Sequence, residues 1–374
     1  MCCTVILLLL SIFAFARPAS AAGVGEVIEG FDFTSWQNIA DESGTGLNVR
    51  ALVGELSQPG ELPDFTALIS ELAARLRSLA AAMLPDILLL VGPALLWAIN
   101  RSVLSPGDGA LSGAAGYVCY LVAAAALIKL FSAQLHGARQ AVAQVGRLIE
   151  RASPILTALT VAVGGVTTGA SVQPMGVIAA SLIATLVRNV AFALCGAAAI
   201  LAVIGNLHDR VKLQGLYKLT KSTCNWLMGA AMVAFLGVMT VNGMLGSAKD
   251  GVSIRTAKFA VDELLPVVGG EVADAMDAMI LSSLLVKNAA GVTGLIVLLA
   301  LCFEPIARLT LTLIVCRLSA AVIEPIAEGP LGGLMEQFAG VCQMLLVALA
   351  TAMALFMVLV GVVIGAGNAV VMMR

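Results

Sequence analysis

An all-α, multi-pass membrane bundle is the fold this sequence predicts, and three observations predict it. The 374-residue chain is 60% hydrophobic, with a mean hydropathy of +1.01. Only 12% of its residues are charged, half of the roughly 25% usual in soluble domains. Its apolar residues fall in runs of about 20, the length a helix needs to cross a bilayer at 1.5 Å per residue. A soluble reading would need a core far larger than one domain can hide. The net charge of −2 gives no pull toward nucleic acid.

Two central runs, residues 190–207 and 226–245, are joined by a polar loop, 208–225. That loop carries Arg210, Lys212, Lys218 and Lys221 against a single Asp209. Cations between two such helices place the loop in the cytoplasm, and the flanking segments are oriented from this hairpin.

Residues 1–21 read as a secretory signal peptide, with an apolar stretch at 5–16 and Ala19-Ser20-Ala21 as a small-residue cleavage site. No Lys or Arg precedes that stretch, so retention as an uncleaved anchor stands beside cleavage. Cleavage leaves the mature N-terminus outside. Residues 22–80 form an exposed acidic leader with Glu26, Glu29, Asp32, Asp41, Glu42, Glu55, Glu61, Asp64 and Glu71. It ends in an amphipathic helix spaced by Phe65, Leu68, Ile69, Leu72, Leu76 and Leu79. A docking surface and a loosely ordered leader are both compatible with it. Residues 81–374 are the multi-pass membrane domain.

Within that domain, residues 84–99 form a span with Asp86, Gly92 and Pro93, where a kink is expected. Pro106-Gly107-Asp108-Gly109 is a turn. Residues 114–131 form the next span, with Lys129 snorkelling near its end. Residues 134–151 are amphipathic, with Leu135, Ala138, Val142, Val145 and Ile149 in one stripe. That pattern fits a helix on the membrane surface and equally a connecting helix packed on protein. Residues 155–171 are barely long enough to cross and hold Gly164, Gly165, Thr167, Thr168 and Gly169. A full span and a re-entrant, broken segment both remain open.

Residues 247–288 are a polar loop placed outside by alternation. The apolar run 292–323 is interrupted at Glu304-Pro305, residues 331–340 form a short amphipathic helix, and 341–364 is the last span. An internal two-unit repeat relates residues about 152–246 to about 257–368. Val163-Gly164-Gly165 matches Val268-Gly269-Gly270, Leu213-Gln214-Gly215-Leu216 matches Leu331-Gly332-Gly333-Leu334, and Cys224 then falls on Cys342. The units are parallel if 155–171 is re-entrant and inverted, as in many transporters, if it spans.

No catalytic constellation emerges. The two histidines, His136 and His208, lie in separate polar stretches. There is no GxxxxGK[ST] phosphate loop. The eight cysteines form no CxxC pair, so neither a metal nor a cofactor is expected. The candidates for function are polar groups at membrane depth: Arg188, Asn189, Asn242, Glu304, Arg308, Arg317 and Glu324. They form either a polar path or partner groove between helices, or simply pair within the chain, as Glu304 and Arg308 can at i, i+4.

The stretch Thr256-Ala257-Lys258-Phe259-Ala260-Val261-Asp262-Glu263-Leu264-Leu265-Pro266-Val267-Val268-Gly269-Gly270, followed by Asp274-Ala275-Met276-Asp277 and later by Ala320-Ala321-Val322-Ile323-Glu324-Pro325-Ile326, resembles the stage III sporulation protein AE family. The resemblance covers nearly the whole chain. It implies an endospore-forming bacterium and a place in an assembly linking the mother cell to the engulfed forespore, proposed as a secretion- or feeding-type channel. The implied location is the mother-cell membrane around the forespore. Implied partners are other stage III sporulation membrane proteins, ring-forming proteins between the two membranes and a cytosolic secretion-type ATPase. Lys258, Asp262, Pro266, Gly269, Gly270, Asp274 and Asp277 are then candidates for a partner-facing loop. Three functions follow as expectations: a non-enzymatic membrane core of such a channel, a secondary transporter for a small solute acting through Glu304 and Arg308, or a passive scaffold.

Overall fold

The computed structural model describes residues 33–42, 48–57, 65–103, 109–207, 213–264, 269–323 and 330–372. Among them there is no strand. Two short helices, α1 (Thr34–Glu42) and α2 (Val49–Ser57), precede α3 (Phe65–Ala82) and α4 (Leu84–Val103). A 54-residue α5 (Gly109–Ala162) follows. After a π-turn at Thr168–Val172 come α6 (Gln173–Leu186), a second π-turn at Val187–Ala191, and α7 (Phe192–Gly205). The rest is α8 (Gln214–Leu264), α9 (Gly269–Ile323) and α10 (Pro330–Met372). Signal-peptide residues 1–21, Pro266 and Glu324 lie outside the described residues.

Among the described residues, five stretches are long and apolar enough to cross a membrane: Gly116–Ala162, Thr168–Gly205, Gln214–Ser253, Met279–Ile323 and Pro330–Gly365. A sixth is the pair Ala73–Ala82 and Leu84–Pro93, bent by 45°. The helices outreach the predicted spans. At 1.5 Å per residue α5 is about 80 Å long, more than twice a hydrocarbon core of roughly 30 Å.

Several polar stretches read as connectors are helix. Residues 134–151 are not a separate surface helix but the middle of α5. Ala138, Val142, Val145 and Ile149 of their apolar stripe are buried in the main core, because a stripe of that width is covered better by neighbouring helices than by headgroups. The basic loop contracts, since α8 already begins at Gln214 and takes in Lys218 and Lys221. The polar stretch 247–288 is mostly the end of α8 and the start of α9, which leaves only 265–268 between them. Glu304-Pro305 does not interrupt α9, and 331–364 is one helix.

The segment 155–171 resolves as a reversal. The N–H of Gly165 donates to the carbonyl of Thr160 (2.9 Å) and that of Gly164 to Val161 (2.8 Å). Gly164 sits at φ 91°. This pair of bonds around a left-handed residue is the Schellman close of a helix, and glycine adopts that backbone without the Cβ clash. The chain then turns back, so that Val142, Gly146 and Ile149 of α5 line one cleft with Arg188, Ala184 and Val177 of the returning arm. The segment is thus neither a separate span nor one continuous helix: it holds the end of α5, the turn at 163–165 and the start of the returning arm.

The core centres on α10, whose most apolar window is 67% buried, against 22% for α8. The leader contributes to that core, which its acidic composition did not suggest. Phe33, Trp36, Ile39, Ala40, Val49 and Val53 belong to the same buried cluster as Val297 and Phe356. Asn48 caps α2, its Oδ1 accepting the N–H of Ala51 at 3.1 Å. The Gln37 side chain ties the two short helices together by accepting from the N–H of Val49 at 2.8 Å. Trp36 is fully buried. A Cβ on Gly294 would stand 3.3 Å from both the Trp36 and Phe356 rings, so the indole fits only because α9 has no side chain there. The exposed-leader expectation fails for α1 and α2, because their acidic residues occupy one face and their apolar residues the other.

Replacing Trp36 by Ala should cost about 3 kcal/mol, in the range for large-to-small core changes, and release α1 and α2. The expected readout is faster tryptic cleavage at the exposed Arg50 of the full-length protein, with the long helices uncut. Gly294→Leu should give the same cleavage pattern by filling the slot.

Candidate functional site

The reversal between α5 and α6 creates a polar problem that another helix solves. The arm restarting after Gly165 has N–H groups with no helical partner. Asp250, from α8, accepts the N–H of Thr167 at 2.7 Å through one oxygen and that of Thr168 at 2.8 Å through the other. It is 1% exposed. An Asp at the helix's own N-cap position would do this locally; here that position is Gly165, and the carboxylate comes from across the bundle. A Cβ at Gly165 would strike the Thr160 side chain at 2.8 Å. The helix dipole adds to the favourable placement of a negative charge there.

Lys287 is the second charged residue that is buried among the described residues. It is 0% exposed, on α9, and donates to the carbonyl of Val363 on α10 at 3.0 Å. Ser282, Ser283 and Thr293 are buried on the same helix. An ionisable group inside a membrane bundle is costly to place there and marks a functional position by default.

The residues singled out from sequence are placed differently. Arg188 and Asn189 fall within the second π-turn, exposed at its surface. A π-turn inside a helix is rare and often accompanies a functional site. Asn242 is half-buried and donates to Val238 of its own helix at 2.9 Å. Arg317 is exposed. Glu304 and Arg308 pair with each other, Nε and Nη2 of the guanidinium lying 2.9 and 2.8 Å from one Glu304 oxygen. Their side chains are 59% and 39% exposed. None of these groups lines a closed path between helices, which does not favour a solute route through Glu304 and Arg308.

Glu304 and Arg308 instead border a cleft of about 640 Å³. Its walls come from α3, α4, α5 and α9, and carry Arg75, Asp86, His136 and Gln140 as well. Gln134 at its edge donates to Thr312 at 3.1 Å, which ties α5 to α9.

Of the residues read as partner-facing, Lys258 and Asp262 lie on the last turns of α8, and Gly269, Gly270, Asp274 and Asp277 on the first turns of α9. They lie beyond the apolar runs 226–245 of α8 and 292–323 of α9, on the polar ends of the two helices that face the connection between them.

A family model for stage III sporulation protein AE matches residues 64–367. The chain belongs to this family. Among curated relatives, stage III sporulation protein AE of Bacillus subtilis (strain 168) is 27% identical over 257 residues. That match covers 69% of this chain and 64% of the relative's length. No solved structure matches. Family membership and the five long apolar helices make this a multi-pass sporulation membrane protein.

Asp250 and Lys287 escaped the sequence reading because they sit in a stretch that is polar overall. The available signal was the Gly-Gly-Val-Thr-Thr restart at 164–168, whose donors require an acceptor from somewhere. Replacing Asp250 by Ala removes the acceptor of two N–H groups, of which the buried one of Thr168 should cost about 1–3 kcal/mol. Thermal unfolding in detergent should rank wild type above Asp250→Asn and Asp250→Asn above Asp250→Ala. For Glu304 and Arg308, a double-mutant cycle to Ala should return a coupling under about 1 kcal/mol, as for other exposed pairs.

Proposed function

We propose that this protein is the non-enzymatic membrane core of the sporulation channel complex that connects mother cell and forespore and is required for forespore development after engulfment. The observation that carries the proposal is the reach of the α8–α9 hairpin. The 19 residues from 246 to 264 extend α8 about 28 Å past its apolar run 226–245. They bear the Lys-Phe-Ala-Val-Asp segment that carries the family resemblance most specifically. A polar extension on a lipid-held base is suited to meeting ring components between the two membranes. Lys218 and Lys221 lie at the opposite end of α8, the end the positive-inside rule assigns to the cytoplasm and to a secretion-type ATPase.

The internal repeat fits this reading as two parallel hairpins. Leu213 and Leu331 each adjoin the start of a returning helix, α8 and α10, and Val163-Gly164-Gly165 and Gly269-Gly270 each open the preceding arm. The starts of α8 and α10 also meet, the Tyr217 hydroxyl donating to the carbonyl of Gln337 at 2.6 Å and Lys221 to Gln343 at 3.2 Å. Such an arrangement gives a platform with both returning helices at its centre.

A clean deletion of the gene should arrest forespores after engulfment; normal spore yield refutes the proposal. Lys287→Met, close to isosteric, should keep the protein in the membrane at wild-type level and lower spore yield by at least tenfold. Full yield from that variant would assign Lys287 to packing alone.

A further inference from the structure

The outward face of α5 does not suit lipid, although it stands at the depth of the apolar spans. At one end of the stretch 134–149, the Gln134 amide donates to the Thr312 hydroxyl, inside the apolar run 292–323 of α9. At the other end, Ile149 shares a cleft with Val177. The neighbouring Gly176 sits against Met239 of α8 and Leu359 of α10, which lie inside the apolar runs 226–245 and 341–364. Between the two ends, the Arg139 guanidinium lies 6.0 Å from the centre of the Phe192 ring, at the start of α7.

At this depth α8 turns large apolar side chains outward, Trp226 and Val233 being 72% and 70% exposed. α5 does the opposite. Among its described residues, no large hydrophobic between Ile128 and Val161 is exposed. His136, Arg139, Gln140 and Glu150 are exposed and Arg147 is half-buried. Their spacing of three and four residues sets them along one side of the helix. A Cβ on Gly137 or Gly146 would meet nothing within 4 Å. A cleft opens on each flank: one of about 640 Å³ toward α9, bordered by Glu304 and Arg308, and one of about 360 Å³ toward α6, bordered by Arg188. Against hydrocarbon a charged side chain costs about 2.5–3.5 kcal/mol at the centre of a helix. Against a partner's helix each charge would need a counter-charge of its own. In water it needs neither.

We propose that this face of α5 lines an aqueous lumen enclosed by copies of this chain, and that the lumen favours small anions. The inference rests on the channel reading and names the surface that would conduct. On one chain the face is open to the outside, so neighbouring copies have to close it, and closed rotational symmetry is the common way for identical subunits to do so. The preference follows from the charges. In the larger cleft Arg75 and Arg308 are matched by Asp86 and Glu304. On the stripe and in the smaller cleft, Arg139, Arg147 and Arg188 stand against Glu150. Neither Arg147 nor Arg188 forms an ion pair among the described residues. Repeated around a ring, such an excess of arginine attracts anions and repels cations.

The test uses the full-length protein in liposomes, carrying Gln140→Cys or Ala143→Cys, and charged water-soluble methanethiosulfonate reagents. Modification above the wild-type level is read by intact mass. Both positions should react at least tenfold faster than Val233→Cys on the outward face of α8; rates no higher than that of Val233→Cys overturn the lumen. With each reagent's rate divided by its rate toward a free thiol in solution, the anionic reagent should outrun the cationic one at Ala143→Cys, and R147E/R188E should reverse the order. Should R147E/R188E fail to fold, R147Q/R188Q should remove the preference. Equal scaled rates with the arginines in place overturn the anion selectivity. Stepwise photobleaching of labelled protein in the same liposomes should count several copies per complex, and single copies throughout overturn the shared enclosure. Unreactive α5 cysteines together with arrested forespores in a gene deletion strike the lumen and leave the channel-complex reading standing; normal spores from the deletion strike that reading itself.

Discussion

A helix that reverses leaves the first N–H groups of the returning arm without helical partners, and Asp250 is what makes the reversal between α5 and α6 tolerable. A buried backbone donor left unpaired costs about 1–3 kcal/mol. The Schellman bonds of Gly164 and Gly165 close the first arm, and the two oxygens of Asp250 open the second. Both halves are needed. Without the left-handed glycine the chain does not turn, and without the carboxylate the returning arm starts with bare donors. The contact also fixes the height of α8 against the returning arm, so the register of the bundle depends on it.

From that register the rest follows as layered packing. The reversal sets α6 and α7 against α8, the next reversal brings α9 back, and α10 fills the centre. Tyr120 of α5 donates to the carbonyl of Val203 on α7 at 2.5 Å, joining the far ends of the same hairpin. The polar residues of α5 that do not face the core collect opposite α3, α4 and α9, where they form the open cleft. One long helix thus serves two environments, its buried stripe in the core and its polar face at the cleft.

Hydrophobic runs in the sequence identified the spanning helices because bilayer thickness sets their length directly. Val163-Gly164-Gly165 likewise stood out, since few residues other than glycine adopt its backbone. Helix ends were less legible. Residues 134–151 read as an amphipathic helix, and of its two placements the one packed on protein is the one found; residues 247–264 are polar enough to read as a connector, yet they are helical because they continue a helix already begun and need no separate start. Pro305 misled in the same way: a proline costs one hydrogen bond, and the packed helix on either side of it absorbs that cost. Asp250 and Lys287 were not legible at all, because their burial depends on partners some eighty residues away in sequence. The leader was misread because net composition hides a two-faced distribution, and Trp36 gave no local clue that Gly294 would receive it.

That docking joins the first part of the polypeptide to the last. Trp36 leaves the ribosome long before Gly294 and Phe356 have been made, so its slot does not exist when the leader emerges. Its burial therefore waits for the final two helices, and the leader completes its packing only after they have been made.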